Sequence, residues 1–265
     1  LLLVVIPISA WEYAERQEIE EATQGGFAVS AWQGNTLLVG HPKENAAYVY
    51  TLTRDGTDIS LSSSWTKSAF LQISSGSNSA SFGGSVALSC IDEENVHPCY
   101  HVVADQNYNN GKGAVYVYQF WSSYVTIEPD SSESLVNFGC ALAVQHLSST
   151  TVELFIGSHS SVVYRYLRTG DTPMWERQST LTPVDSGSGG SLFGTSLALY
   201  NNRLVIGAPG GAGSSGYAYY EDSWKRMRSE ISHLSAQVLF RVKMLSSNPV
   251  PMYLSHSSHE SKQYR

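Results

Sequence analysis

Apolar and polar positions along the chain alternate in short runs, and the clearest run is Phe193 to Pro209. Phe193-Gly194 opens it, Leu197 and Leu199 alternate with other residues, and Asn201-Asn202 supplies a polar turn before Leu204-Val205-Ile206 and Gly207-Ala208-Pro209. A period of two on one side of a tight turn and a continuous apolar run on the other predict two antiparallel strands. Similar runs open at Phe138-Gly139 and Phe82-Gly83, and a looser one at Gly26-Phe27. From one phenylalanine to the next the spacings are 55, 56 and 55 residues. A nearly constant period of this length marks a repeat protein.

Each period has a second half. A Gly/Ser/Asn-rich loop precedes an alternating aromatic strand: Ala47-Tyr48-Val49-Tyr50, Val115-Tyr116-Val117-Tyr118, Val163-Tyr164-Arg165-Tyr166 and Tyr217-Ala218-Tyr219-Tyr220. A further strand follows, headed by Trp65, Trp175 or Trp224, with Tyr124 in the Trp place of the middle copy. Asp55-Gly56 and Thr169-Gly170-Asp171 lie between the last two strands, where a hairpin turn needs residues at ease with positive φ. Each unit is therefore four short antiparallel strands, and about four tandem units predict an all-β chain of β-propeller blades.

Phe-Gly followed by Gly-Ala-Pro resembles the motif that names the FG-GAP repeat, found in the propeller head of integrin α subunits and in secreted proteins of protists, algae and bacteria. The resemblance covers roughly residues 11–224. In the earlier copies, Gly40-His41-Pro42, Val103-Ala104-Asp105 and Gly157-Ser158-His159 stand where the last copy has Gly-Ala-Pro. It implies a non-enzymatic binding or adhesion module, secreted or at the cell surface, that recognises an extracellular protein or glycan. In an antiparallel blade, the loops between strands two and three share one propeller face with the blade-to-blade connections. On that face the resemblance points to Asp105, Asn107, Tyr108, Asn109 and Lys112, to Gly210–Ser215, and to Asp185 within Pro183–Ser191. Two other readings stay open. One is the non-catalytic propeller portion of a secreted hydrolase resembling GPI-specific phospholipase D. The other is a structural link in an extracellular coat or filament, self-associating laterally.

The ends of the chain depart from the repeat. Leu1 to Ala10 is apolar and finishes in small residues, as the distal part of a secretory signal peptide does. Trp11 to about Ile19 has the spacing of a blade's last strand, although Glu12–Glu21 also suits a short acidic helix. Residues 225–265 carry seven Lys/Arg against two Glu, whereas the chain as a whole has a net charge of −7. This stretch reads as a non-repeat basic tail, either disordered or the product of a misread gene model. The acidic remainder lacks the Lys/Arg clusters that nucleic acid requires, and no apolar run after the leader is long enough to insert in a membrane.

Cys90 and Cys99 flank the predicted turn between the first two strands of the second unit, where a cross-hairpin disulfide fits both the geometry and an oxidising compartment. Cys140, directly after Phe138-Gly139, reads as a small buried apolar residue. The related propellers often carry a calcium loop, Asp-x-Asp/Asn-x-Asp-Gly, between the first two strands of a blade; here those loops lack the alternating oxygens that Ca²⁺ needs. Asp105, Asn107 and Asn109 alternate in the following loop, but with one carboxylate they make a weak calcium candidate, and no cofactor is expected. His97, Cys99 and His101 would share one side of a strand, yet a disulfide would consume the cysteine and no fourth ligand is at hand. No nucleophile elbow, phosphate loop or nameable carboxylate pair indicates catalysis.

Overall fold

A computed structural model describes residues 28–32, 36–53, 64–73, 81–91, 99–120, 123–133, 136–170, 172–183, 192–200, 202–209, 217–220 and 225–227. The leader, the Trp11–Ile19 strand, Phe27, His97, Asp185, Gly210–Ser215 and the tail after Met227 lie outside them.

Among the described residues, sixteen strands form four four-stranded antiparallel sheets, each in simple sequence order. The first blade is β1 (Ala28–Trp32), β2 (Thr36–His41), β3 (Ala46–Thr53) and β4 (Ser64–Leu71). The second is β5 (Phe82–Ser89), β6 (Tyr100–Asp105), β7 (Ala114–Phe120) and β8 (Ser123–Ile127). The third is β9 (Leu142–His146), β10 (Thr151–Ser158), β11 (Val162–Thr169) and β12 (Glu176–Leu181). The fourth is β13 (Ser196–Tyr200), β14 (Arg203–Ala208), β15 (Tyr217–Tyr220) and β16 (Lys225–Met227). The chain is thus all-β and built of β-propeller blades, as the period implies.

The aromatic alternation of the third strands becomes a division of labour between blade faces. On β7, Tyr116 and Tyr118 pack with Leu38 and Val49 of the first blade. Val115 and Val117, between them, pack with Leu154 and Ile156 of the third. On the third blade, Tyr164 and Tyr166 join that second core, whereas Phe155 and Val163 meet Leu204 and Ile206 of the fourth. Because side chains alternate across a strand, a blade with neighbours on both sides needs apolar residues at every position. Hence Leu154-Phe155-Ile156 is continuously apolar and fully buried.

The Phe-Gly pairs are type II β-turns. Gly84 N donates to Ser81 O (2.9 Å), Cys140 N to Asn137 O (3.1 Å) and Thr195 N to Leu192 O (3.3 Å). Each turn has Phe at its second position and Gly at its third, where φ must be positive; Gly83, Gly139 and Gly194 have φ of 93°, 92° and 91°. Phe82, Phe138 and Phe193 go into the inter-blade cores, at most 1% exposed. The turn amide reaches the Gly of the Gly-Ala-Pro position in its own blade: Gly139 N donates to Gly157 O and Gly194 N to Gly207 O, both at 2.9 Å. That second glycine also seats the next blade. A Cβ on Gly40 would lie 2.0 Å from Gly83 O, and one on Gly157 would lie 2.0 Å from Gly194 O.

Register corrects one alignment. Ser85 pairs with Ala104 as Ser196 pairs with Gly207, so the second blade's equivalent of Gly-Ala-Pro is Ala104-Asp105-Gln106, not Val103-Ala104-Asp105. Counting forward from the phenylalanine fails there because a longer, disulfide-closed connection separates β5 from β6. Cys90 and Cys99 do form that disulfide, with a Cα–Cα distance of 4.1 Å, one residue beyond the Ser89–Tyr100 pair.

At the opposite end of the blades, polar side chains join neighbours at a constant offset. Ser89 Oγ contacts His146 Nδ1 at 2.8 Å and accepts from His146 N at 3.2 Å. The Gln145 amide donates to Asn202 Oδ1 (3.1 Å) and accepts from Asn202 N (3.3 Å). Gln145 also donates to the buried Glu153, which pairs with Arg165 on the adjoining strand. Among the described residues, no helix is long and apolar enough to cross a membrane.

Candidate functional site

Where β6 ends, the chain turns over itself in a single tight turn, α1 (Tyr108–Gly111). Asn109 (φ 50°, ψ 57°) and Asn110 (φ 59°, ψ 40°) are left-handed, a conformation that Asn tolerates better than other side-chain-bearing residues. Gly113 N closes the loop on Tyr108 O at 3.0 Å. The connection to the third blade stitches it down: Asn137 N donates to Gly111 O (2.8 Å) and Phe138 N to Lys112 O (2.9 Å).

The structure distributes the expected surface residues unequally. Asn107 and Asn109 are exposed, Tyr108 and Lys112 are half-buried, and Asp105 is wholly buried. Asp105 Oδ1 accepts from Ser81 Oγ (2.8 Å) and Asn107 N (3.2 Å), so its carboxylate fastens the loop to the preceding turn and presents nothing at the surface. The alternating Asp105, Asn107 and Asn109 are therefore split between interior and solvent. Among the described residues no group of three or more His, Cys, Asp or Glu has metal-holding geometry. Cys99 is taken by the disulfide, and His101 is buried. Burial drives the His101 pKa down to about 4, only partly offset by the Tyr118 backbone. The Tyr108 phenol sits beside Glu128, whose charge raises its pKa and whose carboxylate accepts its proton in a hydrogen bond.

The third blade contributes a part of this face that sequence reasoning did not single out. Val136 O accepts from Ser158 Oγ and His159 N, both at 3.0 Å, and Val136 N donates to Ser160 Oγ at 3.0 Å. Asn137 Nδ2 lies 2.9 Å from His159 Nδ1. These bonds hold Val136, 53% exposed, out toward solvent beside the α1 loop. The signal was present in the sequence: Asn137 directly precedes Phe138 and takes a left-handed φ of 53°, which Asn tolerates.

Beside this face a groove of about 280 Å³ runs between the outer strands of the second and third blades. Val125 and Ile127 of β8 form one wall, and Tyr166, Trp175 and Arg177 the other. Arg177 is held by Asp130 (3.1 Å) and Glu133 (2.9 Å), with its guanidinium 5.5 Å from the Tyr164 ring centroid. Burial works against its charge, but the two carboxylates outweigh that and raise its pKa. Burial, chiefly, pushes the Tyr164 and Tyr166 phenols up to about 12, leaving them neutral hydrogen-bond donors.

Among the described residues, serial four-stranded blades, three of them opened by a Phe-Gly turn and joined by polar clasps at the opposite end, define a propeller-type repeat module. Residues 175–220 match the FG-GAP repeat family, from Trp175 through β12 and the Phe193-Gly194 turn to β15, so the chain carries an FG-GAP repeat. No curated protein matches the chain.

Proposed function

We propose that this chain is a secreted or cell-surface binding module, without catalysis of its own, that recognises an extracellular protein or glycan through the α1 loop and the adjoining blade connection. The observation that carries the reading is the stitched α1 loop. Its left-handed Asn109-Asn110 pair is exposed on backbone already fixed by the next blade. A polar loop ordered before it meets a partner loses little entropy on binding. The Cys90–Cys99 disulfide suits an oxidising compartment, and the FG-GAP repeat suits an extracellular module.

The test is solid-phase binding of the purified chain to arrays of extracellular-matrix proteins and glycans, with and without calcium. Asn107→Ala combined with Lys112→Glu should weaken a specific interaction about tenfold or more, with the unfolding midpoint unchanged. Binding that ignores both substitutions would place recognition elsewhere. Molar mass in solution, measured alongside, distinguishes a monovalent receptor from a laterally assembling coat protein.

A further inference from the structure

We propose that the groove between the outer strands of the second and third blades binds a neutral pyranose sugar. This goes beyond the loop-face reading and does not depend on it. The size fits first. About 280 Å³, open on its outer side, lies just under the roughly 300–1,000 Å³ of drug-sized pockets and suits one or two rings.

The lining decides the chemical class. Half-buried Trp175 offers aromatic surface above the buried Tyr166, and Trp175 is held by an edge contact to Tyr100 at 6.0 Å and 89°, so its ring is positioned in advance. Opposite stand Val125 and Ile127. A pyranose has an apolar face of C–H groups that can lie between such walls. Its hydroxyls, each both donor and acceptor, need a mixed polar array.

Arg177 with Asp130 supplies that array, the guanidinium being held also by Glu133. A guanidinium has five N–H donors and each carboxylate about four acceptor sites. The two ion pairs use only some of them, leaving both kinds of group fixed side by side. The other ligand classes fit less well. A cationic peptide would compete for carboxylates that Arg177 already occupies. An anion would meet Asp130 and Glu128 around a single guanidinium that is already paired. An apolar ligand would strip water from charged groups and return no hydrogen bonds.

The experiment is saturation-transfer NMR on the whole purified chain, using the methyl pyranosides of glucose, galactose, mannose and N-acetylglucosamine. N-acetyl-lysine amide serves as the cationic probe. We expect transfer to the ring C–H protons of at least one pyranoside. Trp175→Leu should abolish it. Asp130→Asn should weaken binding about tenfold, the loss expected from one charge-assisted hydrogen bond. Asp130 is exposed, so that second variant keeps its fold and its urea midpoint, and a loss there cannot be ascribed to unfolding. Absence of transfer from every pyranoside overturns the proposal. So does transfer unchanged in both variants, or binding of the lysine amide alone. None of these results bears on the α1 loop, whose test uses other substitutions.

Discussion

Gly157→Ala isolates the contact that joins one blade to the next. The backbone there is outside the left-handed region, so on conformational grounds alone alanine would stabilise the chain by about 0.4–1 kcal/mol through the unfolded state. The added Cβ, however, would lie 2.0 Å from Gly194 O and 3.1 Å from Gly194 C, both backbone atoms of the next blade's turn, whereas ordinary contact begins near 3.4 Å. Relief requires the fourth blade to move away by more than an ångström. That would loosen the packing of Phe193, Leu204 and Ile206 against Phe155 and Val163. Overpacking of this kind costs about 1–3 kcal/mol, and with a turn backbone as the obstacle we expect roughly 3 kcal/mol. Gly170→Ala is the matched control. Its φ of +69° makes alanine strained, but nothing lies within 4 Å of the new Cβ, so the loss should be about 1 kcal/mol. Gly139→Ala combines both penalties, with φ of +92° and a Cβ 2.7 Å from that of Ala104. Urea unfolding followed by tryptophan fluorescence measures all three as midpoint shifts at constant slope. If Gly157→Ala lost no more stability than Gly170→Ala, the glycine would not be a blade-seating position and the reasoning would be wrong.

Acidification should weaken the fold through His101. Its folded pKa of about 4 lies below the unfolded value of about 6.5, so its contribution is complete above pH 6.5 and is lost as the pH falls toward 4. The loss is roughly 3 kcal/mol, and the urea midpoint of His101→Leu should fall less steeply over that window; parallel profiles would contradict the assignment. Reducing the Cys90–Cys99 disulfide, which closes a separation of nine residues, should cost about 2–3 kcal/mol, read as a lower midpoint in dithiothreitol that the Cys90→Ser/Cys99→Ser variant reproduces without reductant. Cys140 is half-buried rather than buried, but the surrounding protein pushes its pKa up to about 12, so it should react more slowly with iodoacetamide at pH 8 in the folded chain than on unfolding; equal rates would refute this. Replacing Glu153 by Ala should cost about 2–3 kcal/mol, because Arg165 loses its carboxylate partner and Gln145 one of its two acceptors, and a calorimetric midpoint unchanged from wild type would refute the network.

The blades were legible in the sequence because strand alternation, turn chemistry and a fixed period are local properties, carried by neighbouring residues such as Phe193-Gly194 and Val163-Tyr164-Arg165-Tyr166. The same locality misplaced the second blade's Gly-Ala-Pro equivalent by one residue, since only hydrogen-bond register fixes Ala104 opposite Ser85. Locality also placed Asp105 among the loop-face residues. Asn107 and Asn109, which follow it, are exposed loop, whereas its partner Ser81 is supplied by a turn 24 residues earlier. The groove was beyond sequence reasoning altogether. Val125, Arg177 and Trp175 share no motif and come together only because β8 and β12 are the outer strands of adjacent blades. The chain's own pattern thus determined what each repeat would become, and the packing of one blade against the next decided which side chains it would bury and which it would gather into a site. Period and turn act over a few residues, but burial and proximity depend on contacts made across a whole repeat.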